Sequence, residues 1–481
     1  MRAPLSHVGV CLPRFADRSS IRIVDDLPMD SREGTIRSVA WRDVFPWVLL
    51  VRTLRISLRV PVLLTAFAGY LLTLLGGWLI GGVLFADVED PWIGPWHREF
   101  LAPVSAGWLE QPAGIPGGRA LNRPPFAAEY VASPPVEPGS LRVPGTPGQP
   151  HRQPIIGRVA KRAADAPAAA WWTLAAPLVH LFHPHLTATA LSYLLLRNVW
   201  NILVWAFFGG MIARMAAFEL TRRESLGIER ASSQAVMRLP AHVLAPLIAA
   251  AALLLAALPL VVAGIFLRLE VVAWIAGMLW FAILVVGLLL AVLVIGLVAG
   301  WPLMWAAIAV EQSDAFDAVS RAYAYVYQRP LHLAGYVVII VLLGILGAAA
   351  VGLFAFATIE LADWAIGWGS GDEVLARLQE TGTESTEEGT WMSGAAAGRS
   401  LWIRAVLALT AAYPIGFLWC AAVGMYLLLR WHVDGAQTDE IADDELETPT
   451  RLPVLKPHES GIPEVERRPG DSGPREASPP E

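Results

Sequence analysis

The sequence predicts an all-α fold: a polytopic membrane bundle of about six transmembrane helices, with amphipathic helices at the membrane interface. Three observations predict it. The 481 residues are 55% hydrophobic and only 16% charged, against about 25% charged in soluble domains, and the mean hydropathy is +0.50. Six stretches reach the ~20 apolar residues that cross ~30 Å of hydrocarbon. There are 20 tryptophans, and tryptophan gathers at membrane interfaces.

The expected spans cover 60–86, 186–212, 243–267, 271–300, 333–361 and 401–429. Residues 1–40 are polar and hold no apolar signal-peptide core, so the first span is expected to act as an uncleaved signal anchor. Arginine placement orients the bundle, because arginines flanking a span stay on the cytoplasmic side. Arg37, Arg42, Arg52, Arg55 and Arg59 precede the first span, and the loop 213–242 holds Arg214, Arg222, Arg223, Arg230 and Arg238. The loop 362–400 is acidic, with seven carboxylates against Arg377 and Arg399. The expectation is a multi-pass protein of the cell (cytoplasmic) membrane with both termini in the cytoplasm.

Residues 41–58 read as an interfacial helix with an apolar stripe of Trp47, Val51, Leu54 and Leu58, or as an inward extension of the first span. The loop 87–185 is proline-rich, with 13 prolines between residues 87 and 150. That density blocks helix interiors and central strands, so an extended extracytoplasmic loop is expected, followed by a second interfacial helix at 171–182. The tail 433–481 carries 13 acidic and five basic residues. It buries too little apolar surface to offset its ordering entropy and is expected to be a disordered cytoplasmic tail.

Within the bundle, residues 186–432, two segments match at an offset of 90. Ala216-Ala217 pairs with Ala306-Ala307, Pro240 with Pro330, and His242 with His332. Each copy holds a serine, a short amphipathic helix, Pro-x-His and then the next span, in the same sense, which is a parallel repeat. Ser225 and Ser313 are the expected helix caps. The expected apolar stripes are Ile228, Ala231, Ala235 and Leu239 in one copy and Phe316, Val319, Tyr323 and Val326 in the other.

These residues carry a resemblance. Trp205-Ala206-Phe207-Phe208-Gly209-Gly210 with Arg214 resembles one signature of an uncharacterised family of bacterial multi-pass membrane proteins. Gly300-Trp301-Pro302-Leu303-Met304, followed by Ser313-Asp314-Ala315-Phe316-Asp317, resembles another. The likeness covers roughly 40–86 and 186–361, and it implies a fold but no reaction. More loosely, the pattern is similar to membrane domains attached to glycerophosphodiesterases, without the phosphodiesterase domain.

Candidate polar residues are few. Arg197, Asn198 and Asn201 lie inside the second span, where an arginine costs about 2.5–3.5 kcal/mol on insertion scales. Arg197 either binds an anion or lipid headgroup in a cavity or pairs with a carbonyl or carboxylate, and the second is favoured. Arg214 with Glu219, and Glu311, Asp314, Asp317 and Arg321, fall where spans meet the cytoplasm. They line a vestibule or, as favoured here, cap and pair the interfacial helices. Asp317 and Arg321, four apart, suit an ion pair. Trp301-Pro302 is expected to kink or end the fourth helix.

The exclusions are sharper. The 36 basic against 42 acidic residues leave a charge of −6, which argues against nucleic-acid binding. Cys11 and Cys420 alone exclude a disulfide scaffold and a thiolate zinc site. His180, His183 and His185 cluster around Pro184 without a nearby carboxylate, so no metal site is expected. Zinc-protease, Walker A and dinucleotide motifs are absent, as is a nucleophile with a partner base. No catalytic residue and no cofactor is expected. The partners expected are the lipid bilayer and proteins at the cytoplasmic face and tail. The leading reading is a membrane organising or assembly factor, ahead of a transporter or channel for a lipid-like or small solute, and of an intramembrane lipid enzyme.

Overall fold

The computed structural model describes residues 45–85, 155–181, 186–379, 390–442, 455–457 and 463–465. The fold is all-α. The helices are α1 (Val48–Ser57), α2 (Val60–Leu79, running into a π turn Ile80–Leu84), α3 (Ile155–His180), α4 (Ala188–Thr221), α5 (Ile228–Met237), α6 (Leu239–Phe266), α7 (Glu270–Met278), α8 (Trp280–Glu311), α9 (Ala315–Gln328), α10 (Pro330–Ser370), α11 (Asp372–Gln379) and α12 (Thr390–Asp434). Among the described residues the only β structure is a three-residue antiparallel pair, β1 (Leu455–Pro457) and β2 (Pro463–Val465). Six helices are long and apolar enough to cross a membrane: α2 with its π turn, α4, α6, α8, α10 and α12 from Gly394.

The starts of α2, α6 and α10 and the ends of α4, α8 and α12 meet at one end of the bundle, called here the arginine end. Local chemistry explains both kinds of terminus. Helices α2, α6 and α10 each carry a proline in the first turn, where the missing amide costs nothing. Helices α4, α8 and α12 are each followed within two residues by a left-handed residue: Arg223 (φ 61°), Gln312 (φ 55°) and Gly435 (φ 68°). A left-handed residue ends a helix and reverses the chain.

Helix α12 is the axis. It touches α1, α2, α3, α4, α8 and α10. Glycines set the closest approaches: a Cβ on Gly209 of α4 would press on Trp419 of α12, and one on Gly424 of α12 would meet Thr53 and Leu50 of α1. Burial is unequal. In their most apolar windows α4 is 78% and α12 61% buried, whereas α6, α8 and α10 are 6%, 6% and 11% buried.

Several expectations are corrected. Helix α1 is wedged against α12 through Leu50, Thr53, Ile56 and Ser57, while Trp47, Val51 and Leu58 are exposed. The hydroxyls tolerate burial because Thr53 and Ser57 donate to the carbonyls of Leu50 and Leu54. Residues 41–44 of that expected helix lie outside the described residues, as do the polar segment 1–40, most of the proline-rich loop, His183 and His185. The helix before the second span reaches back to Ile155, because the dense prolines end at Pro154 and an alanine-rich run follows. The fourth span is not unbroken from Val271: α7 and α8 part at Leu279, a break that uniform apolarity hides. Pro302 does not end α8, which continues to Glu311.

The caps and stripes shift too. The α9 cap is Asp314, whose side chain accepts from the Asp317 amide, and Ser313 is not used. The α5 cap is Gly227, not Ser225. Helix α9 buries Ala315, Ala318, Ala322, Tyr325 and Val326, leaving Phe316 exposed. Helix α5 buries Ala231, Gln234 and Ala235, leaving Ile228 exposed. Val326, Ala231 and Ala235 of the expected stripes are buried, and beside them alanines that allow close helix contact turn inward with Tyr325 and Gln234. The tail is not free from residue 433: α12 runs to Asp434 and residues 435–442 fold back onto the bundle.

A packing test follows from Gly76. The Trp200 indole donates to the Leu72 carbonyl at 3.0 Å, and a Cβ on Gly76 would collide with that indole nitrogen. Gly76→Ala is expected to destabilise by about 1–3 kcal/mol, read as a lowered thermal midpoint in detergent. Gly335→Ala, which meets nothing within 4 Å, is expected to leave it unchanged or slightly raised.

Candidate functional site

The arginine end holds the densest polar network among the described residues. Its floor is Arg214, on the last turns of α4 and 2% exposed. Arg214 Nε donates to Gln234 Oε1 of α5 at 2.7 Å, Nη1 to the Ala309 carbonyl of α8 at 2.6 Å, and Nη2 to the Ala442 carbonyl at 2.7 Å. Its guanidinium also lies over the Phe218 ring, 4.7 Å from the centroid. A planar fork with five donors can join three acceptors in this way, and a lysine ammonium cannot. The Ala309 carbonyl belongs to the last turn of α8, where partners are lacking along the helix and a cation is favoured by the dipole.

A second cluster builds on Glu311, the last residue of α8. Its carboxylate accepts from Tyr426 Oη at 2.6 Å, from Arg430 Nε at 3.0 Å and from Arg321 Nη1. Arg321 also pairs with Asp317 at 2.8 Å. Burial lowers the Arg321 guanidinium, but Glu311, Tyr426 and Asp317 more than offset it and hold the group above the ordinary arginine value. Tyr325 donates to Asp434, and burial with that carboxylate raises its phenol.

Residues 435–442 close over both clusters as a strap. The Ala442 amide donates to the Val310 carbonyl at 3.1 Å. Arg430 donates to the Glu440 carbonyl at 3.0 Å and lies 3.6 Å from its carboxylate. Between strap and bundle is an open cleft of about 470 Å³, lined by Arg222, Arg321, Arg430, Glu311 and the segment Asp439–Ala442.

The remaining candidates lie elsewhere. Arg214 and Glu219 do not pair with each other. Glu219 pairs with Arg59 at 2.8 Å, and Arg52 donates to the Glu219 and Leu220 carbonyls. Asp314 is an exposed cap. Arg197, Asn198 and Asn201 form a separate buried layer farther along α4: Arg197 Nη1 donates to Tyr193 Oη at 3.1 Å and Asn198 to the Leu194 carbonyl at 2.9 Å. Sequence reading missed Gln234, Tyr426 and the strap acids as site residues. Tyr426 stands in an unbroken apolar run, which signals nothing. The strap acids look like the rest of an acidic tail.

Below the arginine end the interior is aromatic. Trp305 stacks on Trp419 at 4.5 Å, Trp301 meets both edge-on, and Trp171 of α3 lies 5.1 Å from Trp301. His242 meets the Trp305 edge at 5.6 Å. Beside this plug, a cavity of about 40 Å³ is lined by Tyr70, Arg162, Thr173 and Thr410 among small apolar residues, room for one or two waters. Burial lowers the Arg162 guanidinium. Among the described residues no group of three or more metal-ligating side chains gathers.

Comparison with family models, curated proteins and solved structures found no match to this chain.

Removing the Arg214 fork leaves three acceptors without their donor. Arg214→Gln is expected to cost about 2–4 kcal/mol and to release the strap. The measurements are the thermal midpoint and the rate of limited proteolysis between residues 435 and 442, which should rise. A rate equal to wild type would show that the fork does not hold the strap.

Proposed function

We propose that the chain is a membrane organising or assembly factor without catalysis of its own, set in the cell membrane with the arginine end in the cytoplasm. The observation that carries this is the unequal burial of the spans. Helices α4 and α12 form a core, while α6, α8 and α10 leave almost all of their apolar windows uncovered. Gly264 of α6 and Gly287 of α8 meet nothing within 4 Å, and small residues on exposed spans let other transmembrane helices approach closely. The orientation rests on arginine retention in the cytoplasm.

A transporter is the second reading. The buried cation Arg162 beside a small polar cavity favours it, although about 40 Å³ admits water and not a solute. Against it stands the stacked Trp305–Trp419 pair, which fills the interior between that cavity and the cleft.

Two measurements test the first reading. With a photo-crosslinking amino acid at Leu255 of α6 or Leu288 of α8, which are 71% and 67% exposed, adducts to another membrane protein or a second copy are expected. Adducts to lipid alone at both positions would sink the assembly role. A reporter fused after Gly435 should read as cytoplasmic, and an external signal would reverse the orientation.

A further inference from the structure

The geometry points to the arginine-end cleft as a binding site for a phosphate group, the headgroup phosphate of an anionic lipid, that the protein's own acidic strap occupies in its absence. This goes beyond the assembly reading and rests only on the apolar helices spanning a membrane.

Three arginines converge from three elements: Arg222 follows α4, Arg321 is on α9 and Arg430 is on α12. Three carboxylates face them in the same cleft: Glu311, Asp439 and Glu440. They differ in kind. Glu311 is built in, its carboxylate held by Tyr426, Arg430 and Arg321. Asp439 and Glu440 come from the strap, and Glu440 is 58% exposed and only 3.6 Å from Arg430. If the strap lifts, three arginines face Glu311 in the cleft, with Asp317 paired to Arg321 at 2.8 Å. The lining left after Asp439 and Glu440 leave is rich in guanidinium groups, and arginine forks match phosphate oxygens.

Depth selects the source. The cleft lies where α4, α8 and α12 end, at the boundary between their apolar runs and the polar end. That is the level of lipid headgroups, and basic pockets between transmembrane helices take such groups. The volume of about 470 Å³ admits a glycerophosphate headgroup.

The test uses the full chain in neutral detergent, titrated with dihexanoyl phosphatidylglycerol, dihexanoyl phosphatidylcholine and inorganic phosphate. Binding of the anionic lipid, and little of the zwitterionic one, is expected. Asp439→Asn with Glu440→Gln should tighten binding several-fold, a gain that misfolding cannot imitate. Arg222→Gln should weaken it about tenfold, the loss of one charge-assisted contact. Inorganic phosphate binding as tightly as the lipid, with the same response to both variants, keeps the phosphate site but assigns it a soluble source. Equal binding of both lipids, or no response to either variant, overturns the site.

Discussion

The arginine end depends on one buried guanidinium. Arg214 is a cation near the end of an apolar helix, and it is tolerated because each of its faces meets an acceptor or an aromatic ring. The cost of burying it is offset only while all those partners stay in place. Helix α5, the end of α8 and the strap are therefore not independently placed. Each is held by the same side chain, and two of them, the end of α8 and the strap, wall the cleft.

The other organising feature is a turn used three times. Helices α4, α8 and α12 all end at a left-handed residue. After α4 and α8 the chain forms a short helix and then a span opening on proline, at positions 90 residues apart for Thr221 and Glu311. After α12 no further span follows among the described residues, and the chain becomes the strap. The cleft lies between this strap and the bundle. The two histidines at the matching positions differ in setting. His242 packs on Trp305 in the core, whereas the exposed His332 ring lies tilted against His432, 4.6 Å between centroids.

The all-α class, the six spans and the gathering of polar residues at one end were legible from apolar run length and arginine placement, because both are set by the bilayer. Which face of a short helix turns inward was not. Periodicity favours the bulky stripe, yet α9 turns Ala318 and Ala322 inward, with Ala322 set against Gly300 of α8, while Gly296 gives room to Tyr323 and Tyr327. The Asp317–Arg321 pair was legible because it is local. The Arg214 and Glu311 networks join residues up to 228 positions apart, and no local spacing encodes such a partner. Arg197 stood out by its depth in a span, but it bonds to Tyr193 four residues earlier on the same helix.

The central place of α12 has a consequence for biogenesis. Among the described residues, the last long helix to leave the ribosome is the one on which α1 and α2, the first, close. Until it arrives, Leu50, Thr53 and Ala66 lack the surface they finally cover. Helix α2 can pack on α4 soon after it is made, but the faces turned to α12 stay uncovered through the synthesis of about three hundred further residues. Non-local closure of this kind is slow, and it makes the arrival of α12 the checkpoint: a product stalled before it keeps the five earlier spans but has no axis around which to fold.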